Sequence, residues 1–273
     1  MKSLLKLAKL PRSTFYYYLK NLKKEDKYKL LKEQISSIFY EHKGRYGYRR
    51  ITLELKNRGY KTNHKTVAKL MNMLGINSIQ RPNRRYNSYK GEVGKVAPNL
   101  LKRDFNANKP NQKWVTDITE FKVKNEKLYL SPIVDLFNGE VISYNLSRHP
   151  VFLQVADMLE KAFKKLSDDD KLIIHSDQGW QYQMKQYQHM LRSKGIKQSM
   201  SRKGNCLDNA CAENFFSILK SELFYPKEKE YKNIEELEKD IIEYIDYYNN
   251  SRIKSKLKGM SPVKYREHSV LAA

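Results

Sequence analysis

The stretch that decides the fold reads HSDQGWQY at residues 175–182 and DNACAENFFSILK at residues 208–220. Asp177 directly follows the apolar run KLIIHS, which predicts a buried strand. Glu213 follows after 35 intervening residues, in a segment with the apolar spacing of a helix. The stretch therefore predicts one carboxylate at a strand end, where α/β proteins build their sites, and a second one on a helix.

A third acid, Asp117, stands in WVTDITEF, which we interpret as part of a strand. Cleaving or joining a phosphodiester needs an activated oxygen and a stabilised leaving oxygen, and two Mg²⁺ ions about 3.5–4 Å apart supply both. Mg²⁺ prefers carboxylate oxygens. We therefore expect Asp117, Asp177 and Glu213 to meet as a catalytic, metal-binding group, although each acid taken singly is also explained by a structural or solvated role.

Helical spacing gives Glu213 its expected direction. An apolar stripe should bury against the sheet, and it comprises Ala212, Phe215, Phe216, Leu219 and Leu223. Glu213 and Lys220 lie beside this stripe, about two turns apart, so both should point the same way. We expect Glu213 at the sheet edge and Lys220 at a DNA phosphate near it.

Three neighbouring polar residues have simpler interpretations. Asp208 is expected to be the N-cap of the Glu213 helix. Asp135 is a strand acid without a partner motif, and we treat it as structural. His175 could touch substrate, but a hydrogen-bonded core histidine is the favoured interpretation.

The segment from residue 113 to residue 273 predicts a ribonuclease H-like α/β core with a mixed sheet and a C-terminal helical extension. Three strand-like runs, KWVTDITEFKV, KLYLSPIVDLF and EVISYNL, come first, and Asn138-Gly139 between the last two is a hairpin signal. Alternating helices and strands follow: a helix over 151–166, the strand before Asp177, a helix over 183–194, the strand IKQSM, the Glu213 helix and a helix over 233–249.

Residues 1–76 predict an all-α region with a helix-turn-helix. One helix is expected from Tyr48 to Asn57, Gly59 ends it, and a second begins near Asn63. The candidate DNA contacts on this pair are Arg49, Arg50, His64, Lys65 and Lys69. A plain helical hairpin with a basic face remains an alternative.

Residues 77–112 lack an apolar period and carry many basic residues, including Arg84 and Arg85. We interpret this segment as a basic linker that can lie along a DNA backbone, with a merely flexible connector as the alternative. The uneven distribution of charge supports DNA binding by the N-terminal part of the chain. Residues 1–110 have 27 Lys and Arg against 7 Asp and Glu, whereas residues 111–273 have 26 against 23, within a total net charge of +23.

Two cysteines, Cys206 and Cys211, exclude a disulfide framework and a Cys-rich zinc site. The sequence has no apolar stretch of membrane-spanning length, and its basic N-terminus is a poor signal peptide. We expect a cytoplasmic protein that acts on the nucleoid of a bacterial cell.

The three acidic motifs together resemble the retroviral-integrase superfamily of DDE transposases. Asp117 and Asp177 are separated by 59 residues, Asp177 and Glu213 by 35, and Lys220 follows seven positions after Glu213. Within that superfamily the chain is similar to the second-frame (orfB) product of insertion-sequence-three family transposases. That resemblance extends to RYGYRRITLELKNRGYKTNHKTVAKLMNMLGI, to APNLLKRDFNANKPNQKWVTDIT and to YYNNSRIKSKLKGMSPVKY.

The resemblance implies Mg²⁺ or Mn²⁺, two ions per active site, bound by Asp117, Asp177 and Glu213, with Lys220 at the element end. It implies nicking of 3′ ends in double-stranded DNA, strand transfer into a target, and a homo-oligomer on DNA. It also implies a first-frame (orfA) partner or fusion that supplies the main end-binding module, because this chain has no long heptad repeat. A nuclease of the ribonuclease H class without joining activity, or an inactive DNA-binding remnant, remains an alternative.

Overall fold

The computed structural model describes residue 5 and residues 7–22, 26–79, 96–167 and 170–271. These residues divide into two compact units, Met1–Ser78 and Ile79–Ala273. Arg84 and Arg85, two of the expected DNA contacts, lie outside the described residues. None of the described helices is both long enough and apolar enough to cross a membrane.

The first unit is helical. Its helices are α1 (Arg12–Leu22), α2 (Lys29–Glu41), α3 (Tyr48–Asn57) and α4 (His64–Met73). Apolar residues at helical spacing form its core, with these side chains fully or almost fully buried: Ile35, Ile38, Ile51, Leu55, Val67 and Leu70. The predicted helix pair is therefore present as α3 and α4, with the bounds expected from the apolar spacing.

The turn between α3 and α4 follows from two residues. Gly59 has φ +86°, a left-handed conformation that favours glycine after a helix end. The side chain of Asn63 then accepts a hydrogen bond from the backbone N–H of Lys65 and caps α4. Glycine and asparagine therefore set where one helix ends and the next begins.

The second unit contains a six-stranded sheet made of β1 (Lys113–Thr116), β2 (Thr119–Val123), β3 (Glu126–Asp135), β4 (Val141–Ser147), β5 (Ile173–Ser176) and β6 (Lys197–Met200). The first four strands pair antiparallel, whereas β5 is parallel to both β1 and β6. Gly139, at φ +69°, closes the predicted β3–β4 hairpin. The sheet is therefore mixed, as the sequence predicts.

Helices cover both faces of this sheet. They are α5 (Phe152–Phe163), α6 (Trp180–Gln183), α7 (Lys185–Ser193), α8 (Ala210–Leu219), α9 (Tyr225–Lys227), α10 (Ile234–Asn250) and α11 (Pro262–Leu271). Successive strand residues point to opposite faces. Val115 accordingly packs in a core with residues of α8 and α10, and Trp114 packs in another with residues of α5 and α7. This arrangement confirms the predicted ribonuclease H-like α/β core.

The last part of the predicted linker contacts the sheet unit. The backbone N–H of Leu100 donates to Ser199 Oγ at 2.9 Å, and Asn99 donates to Asp208 at 3.0 Å. Leu101 is buried. Residues 97–101 thus lie along β6 and the turn that follows it, a contact that the lack of apolar period in this segment does not predict.

Ion pairs with buried carboxylates hold the C-terminal extension against the rest of the second unit. Arg252, buried in its side chain, forms two hydrogen bonds with Glu222, which lies in the π-helical segment Lys220–Phe224. Arg266 of α11 pairs with Asp135 at 2.6 Å. Asp135 is fully buried and also accepts backbone hydrogen bonds from Asn111 and Phe137, so its predicted structural role is confirmed.

Candidate active site

Asp117 lies in a break between two strands. Thr116 pairs with Ile133 and Thr119 pairs with Leu130, so Asp117 falls opposite Pro132 on β3. Pro132 has no backbone N–H for a strand ladder. The prediction of one continuous strand through KWVTDITEFKV is therefore wrong. The chain forms β1 and β2 along the same edge of β3, and Asp117 lies in the gap between them.

The register of two parallel strands brings Asp177 to the level of Asp117. Val115 in β1 pairs with His175 in β5, and each aspartate lies two residues beyond this pair. Adjacent strands are about 4.8 Å apart. The two aspartates therefore lie side by side, each directly after the end of its strand.

Backbone hydrogen bonds orient both aspartates. Asp117 Oδ1 accepts from the N–H of Ile118 at 2.7 Å, and Asp177 Oδ1 accepts from the N–H of Gly179 at 2.9 Å. A Cβ atom at position 179 would lie 3.0 Å from Asp177 Oδ1, closer than carbon and oxygen normally approach. Glycine at position 179 therefore leaves space for this carboxylate.

Glu213 lies in the first turn of α8. The predicted apolar stripe is confirmed, because all five of its members are buried: Ala212, Phe215, Phe216, Leu219 and Leu223. The stripe shares a core with Val115 of β1, which fixes α8 against the sheet. Glu213 is half-buried beside it.

The electrostatic environment couples the three acids. Burial raises the pKa of Asp117 well above its usual value, and the charges of Asp177 and Glu213 raise it further. Burial also raises the pKa of Asp177. The pKa of Glu213 is raised by burial and then by the charge of Asp177. The charge of Asp177 therefore makes Asp117 and Glu213 harder to ionise, and the charge of Glu213 does the same to Asp117. An added cation would oppose both effects.

A cavity of about 260 Å³ lies at the two aspartates. Among the described residues, those that line it include both aspartates, Trp180 and Tyr182, but not Glu213. Across all the residues that the structure describes, no three His, Cys, Asp or Glu side chains are close enough together to hold a metal ion. The structure thus brings two of the expected acids into one cavity, with the third coupled to them through its charge.

The structure places Lys220 against β2. Its Nζ donates to the backbone oxygen of Glu120 at 2.9 Å and lies 5.0 Å from the centre of the Phe121 ring. Lys220 is also the first residue of the π-helical segment that follows α8. The wider turn begins at Lys220 itself, after the α-helical residues that separate it from Glu213.

Asp208 is not the N-cap of α8, and that prediction was wrong. Asn209 holds the cap position, while the buried Asp208 carboxylate bonds Arg202, Arg103 and Asn99. Hydrogen bonds from Arg202 hold the pKa of Asp208 well below its usual value. Arg103 and Asn99 lie more than 100 positions away, so local sequence could not reveal these partners.

His175 is a buried structural histidine, which confirms its favoured interpretation. Its Nδ1 lies 2.8 Å from Ser199 Oγ, and its Nε2 lies 2.9 Å from the carbonyl oxygen of Asp208. Burial lowers the pKa of His175. The strand that leads to Asp177 is thereby joined to the turn that leads to Glu213.

Asn209 is a site residue that sequence reasoning missed. Its Nδ2 donates to Asp117 Oδ2 at 2.9 Å, across 92 positions of sequence. The available signal was its place four residues before Glu213, since residues four apart share a helix face.

In the first unit, most of the expected DNA contacts are exposed. Arg49 lies on α3 and His64, Lys65 and Lys69 lie on α4, all of them at the surface. Arg50 is partly buried, where it donates to the carbonyl oxygen of Arg45. The helix pair thus presents cationic side chains to solvent.

Comparison with known proteins agrees with both units. Residues 107–206 and 213–270 match two models described as integrase core domain, and residues 25–85 match an HTH-like domain. The chain is 56% identical over 271 residues to InsK of insertion sequence element IS150 from Escherichia coli K12, covering 99% of this chain and 95% of that protein.

More distant relatives are named as transposases. One, for insertion sequence element IS904 of Lactococcus lactis, is 37% identical over 88% of this chain and 94% of its own length. Another, InsF for insertion sequence IS3A of Escherichia coli K12, is 31% identical over 99% of this chain and 95% of its own length. The magnesium complex of the HTLV-2 integrase catalytic core aligns with a TM-score of 0.47 at 23% identity, covering 58% of this chain and 98% of that one. The chain belongs to the insertion-sequence-three family of transposases, and in its sequence an integrase core domain follows an HTH-like domain.

Proposed function

We propose that this transposase nicks the 3′ ends of its insertion sequence and joins them to target DNA at Asp117, Asp177 and Glu213. The observation that carries the proposal is the β1–β5 register, since it sets two aspartates side by side at one cavity. The charge coupling of Glu213 to Asp177 supports its inclusion.

The donor chemistry fits a hard divalent cation, and we propose Mg²⁺ or Mn²⁺, two per active site. All three side chains are carboxylates, which such cations prefer. Burial raises the pKa values of all three, and repulsion from neighbouring carboxylates raises those of Asp117 and Glu213 further, which a cation would relieve. When bound, two such ions supply an activated attacking oxygen and a stabilised leaving oxygen.

The chain itself supplies orientation. Asp117 is held at both oxygens, by the N–H of Ile118 and by Asn209, and Asp177 is held by the N–H of Gly179. Preorganised groups need little rearrangement as charge develops in a transition state. In the first reaction, water attacks the phosphodiester at the element end and releases a 3′-OH. In the second, that 3′-OH attacks a target phosphodiester, whose own 3′ oxygen leaves, so bonds are exchanged one for one.

We assign binding of double-stranded DNA to the first unit and the basic segment after it. Cations on α3 and α4 can neutralise phosphates, and the strong positive charge of residues 1–110 draws DNA towards them. Arg49, Arg50, His64, Lys65, Lys69, Arg84 and Arg85 are the proposed contacts in this part of the chain, with Lys220 at the element end.

An insertion sequence has two ends, so concerted transfer calls for at least two active sites. We therefore propose a homo-oligomer assembled on element and target DNA, together with a first-frame partner or fusion that contributes end recognition. The nucleoid is the proposed place of action because the substrate is chromosomal DNA.

The test is a strand-transfer assay on a donor end already cut at its 3′ terminus, with Mg²⁺ or Mn²⁺ present. The proposal expects joined products from the unsubstituted chain and none from Asp177→Asn. Cleavage without joining would instead identify a nuclease of the ribonuclease H class. Joining by Asp177→Asn at the normal rate would refute the site, and a chain that binds DNA but neither cuts nor joins would be a DNA-binding remnant.

A further inference from the structure

Among the described residues, three α-helices have asparagine at the N-cap, and one of these three asparagines does not cap its helix. Asn63 accepts from Lys65 N–H and Asn233 accepts from Glu236 N–H, as N-cap asparagines normally do. Asn209 precedes α8 in the same position but makes no side-chain capping hydrogen bond. The side chain of Asn209 therefore does not cap α8 and is available for another hydrogen bond.

That side chain points to Asp117. Nδ2 donates to Asp117 Oδ2 at 2.9 Å, and Asn209 is only 5% exposed. Its other polar atom, Oδ1, is buried and has no hydrogen-bond partner within the described part of the chain. A buried acceptor without a donor is unfavourable for folding alone. Oδ1 is therefore poised to accept a hydrogen bond from a group that binds at the carboxylates.

The backbone at Asn209 is fixed from two directions. The carbonyl oxygen of Asp208 is hydrogen-bonded to His175, on the strand that leads to Asp177. The carboxylate of Asp208 is bound by Arg202 and Arg103. A rigid turn of this kind lets a short side chain hold a neighbouring carboxylate at a defined position.

We propose that Asn209 is a positioning residue for the metal site: Nδ2 orients the Asp117 carboxylate, and Oδ1 accepts a hydrogen bond from water in the cation's hydration shell. This inference rests on the proposed function, because it assumes that Asp117 binds a divalent cation. Asn209 touches neither scissile phosphate nor nucleophile in this assignment, so it acts through Asp117 and ordered water.

Direct binding of Mn²⁺ to the full chain, followed by electron paramagnetic resonance, tests the inference without relying on activity. Asn209→Ala is expected to weaken Mn²⁺ binding by about 10–100-fold, as is usual when a partner of a ligand is removed. Asn209→Ser is the second variant. Serine is a good N-cap and keeps the helix stable, but it is too short to reach Asp117. It should lose Mn²⁺ affinity to the same extent with an unchanged or higher melting temperature.

Asn233→Ala is the matched control, because it removes an asparagine that does cap a helix. It should lower the melting temperature and leave Mn²⁺ affinity unchanged. Native Mn²⁺ affinity in Asn209→Ser, or an equal loss of affinity in Asn233→Ala, would overturn the assignment while strand transfer by the unsubstituted chain still stood. If the unsubstituted chain neither bound Mn²⁺ nor joined DNA ends, the proposed function itself would fail, and this inference with it.

Discussion

Val115 in β1 is paired with His175 in the parallel strand β5, and this single register decides where two aspartates leave the sheet. A shift by one residue would turn one carboxylate to the opposite face, because side chains alternate along a strand. The apolar residues on both faces of the sheet pack into separate cores and hold the register. The position of the proposed site is therefore a consequence of how the core packs.

Removing any one of the three carboxylates should abolish chemistry without abolishing DNA binding. Asp117→Asn, Asp177→Asn and Glu213→Gln are each expected to slow nicking and strand transfer by about 10³-fold or more, because groups that act together in a transition state fail together. Glu243→Gln, at an exposed acid on α10, is the control and should retain activity. Mobility-shift affinity should be the same for all four variants, and a variant of the three acids with normal strand transfer would contradict its assignment.

The metal-free protein should be stabilised by neutralising Asp177. A carboxyl whose pKa is raised in the folded state favours folding below its unfolded pKa of about 3.9, and this contribution is lost as pH rises through the raised value. At pH 7 the ionised Asp177 therefore opposes folding. Asp177→Asn, which keeps an acceptor for Gly179 N–H, should raise the urea midpoint at pH 7 but not at pH 3.

Metal addition should reverse that order of stability. Mg²⁺ that binds only the folded state stabilises it in proportion to site occupancy. The urea midpoint of the unsubstituted chain should rise with added Mg²⁺, while that of Asp177→Asn stays nearly constant. Equal responses of the two proteins to Mg²⁺ would show that Asp177 is not part of the metal site.

Trp180 should report DNA at the cavity. The chain has two tryptophans, and Trp114 is fully buried whereas Trp180 lines the cavity beside both aspartates. A DNA end that enters should quench Trp180 emission, since bases in contact with an aromatic ring alter its surroundings. Trp180→Phe should remove the DNA-dependent change and Trp114→Phe should keep it. Quenching that survives Trp180→Phe would place the DNA elsewhere.

Salt dependence should identify which lysines contact phosphates. Each phosphate contact contributes a slope of about 0.9 to the dependence of log K on log salt for duplex DNA. Lys65→Ala and Lys69→Ala, both exposed on α4, should each reduce this slope by about 1 and weaken binding at low salt. Lys239→Ala removes the same charge from the surface of α10 and should leave the slope unchanged. A similar reduction in all three variants would indicate general attraction rather than contact.

Replacing one partner of the buried ion pair between Arg252 and Glu222 should strongly lower the free energy of unfolding. Their side chains are 2% and 10% exposed and joined by two hydrogen bonds. Arg252→Met removes the guanidinium that offsets the buried charge of Glu222 and should lower the free energy of unfolding by about 3–5 kcal/mol. Lys127→Ala breaks an exposed pair with Glu120 and should lower the free energy of unfolding far less. Urea denaturation measures the free energy of unfolding of both variants. Equal losses in the two would mean that burial does not make an ion pair more costly to break.

The sequence by itself determined several helices, the β3–β4 hairpin and the choice of candidate site residues. Apolar spacing predicted α3, α4 and α10 to within a residue or two, and Asn-Gly predicted the β3–β4 hairpin, because these signals lie within a few residues of one another. The buried stripe of α8 and the core role of His175 also followed from local pattern. The spacing of the acids nominated Asp117, Asp177 and Glu213 as a group.

Only the tertiary structure decided how those residues meet. The break at Asp117 depends on Pro132 across the sheet, the role of Asp208 depends on Arg103, and the direction of Asn209 depends on Asp117. In the last two cases the partners lie 105 and 92 positions apart. An N-cap preference is a local tendency of about 1 kcal/mol, which a buried charge or an unpaired carboxylate readily outweighs. Local sequence therefore names the candidates, and long-range hydrogen bonds and burial assign their roles.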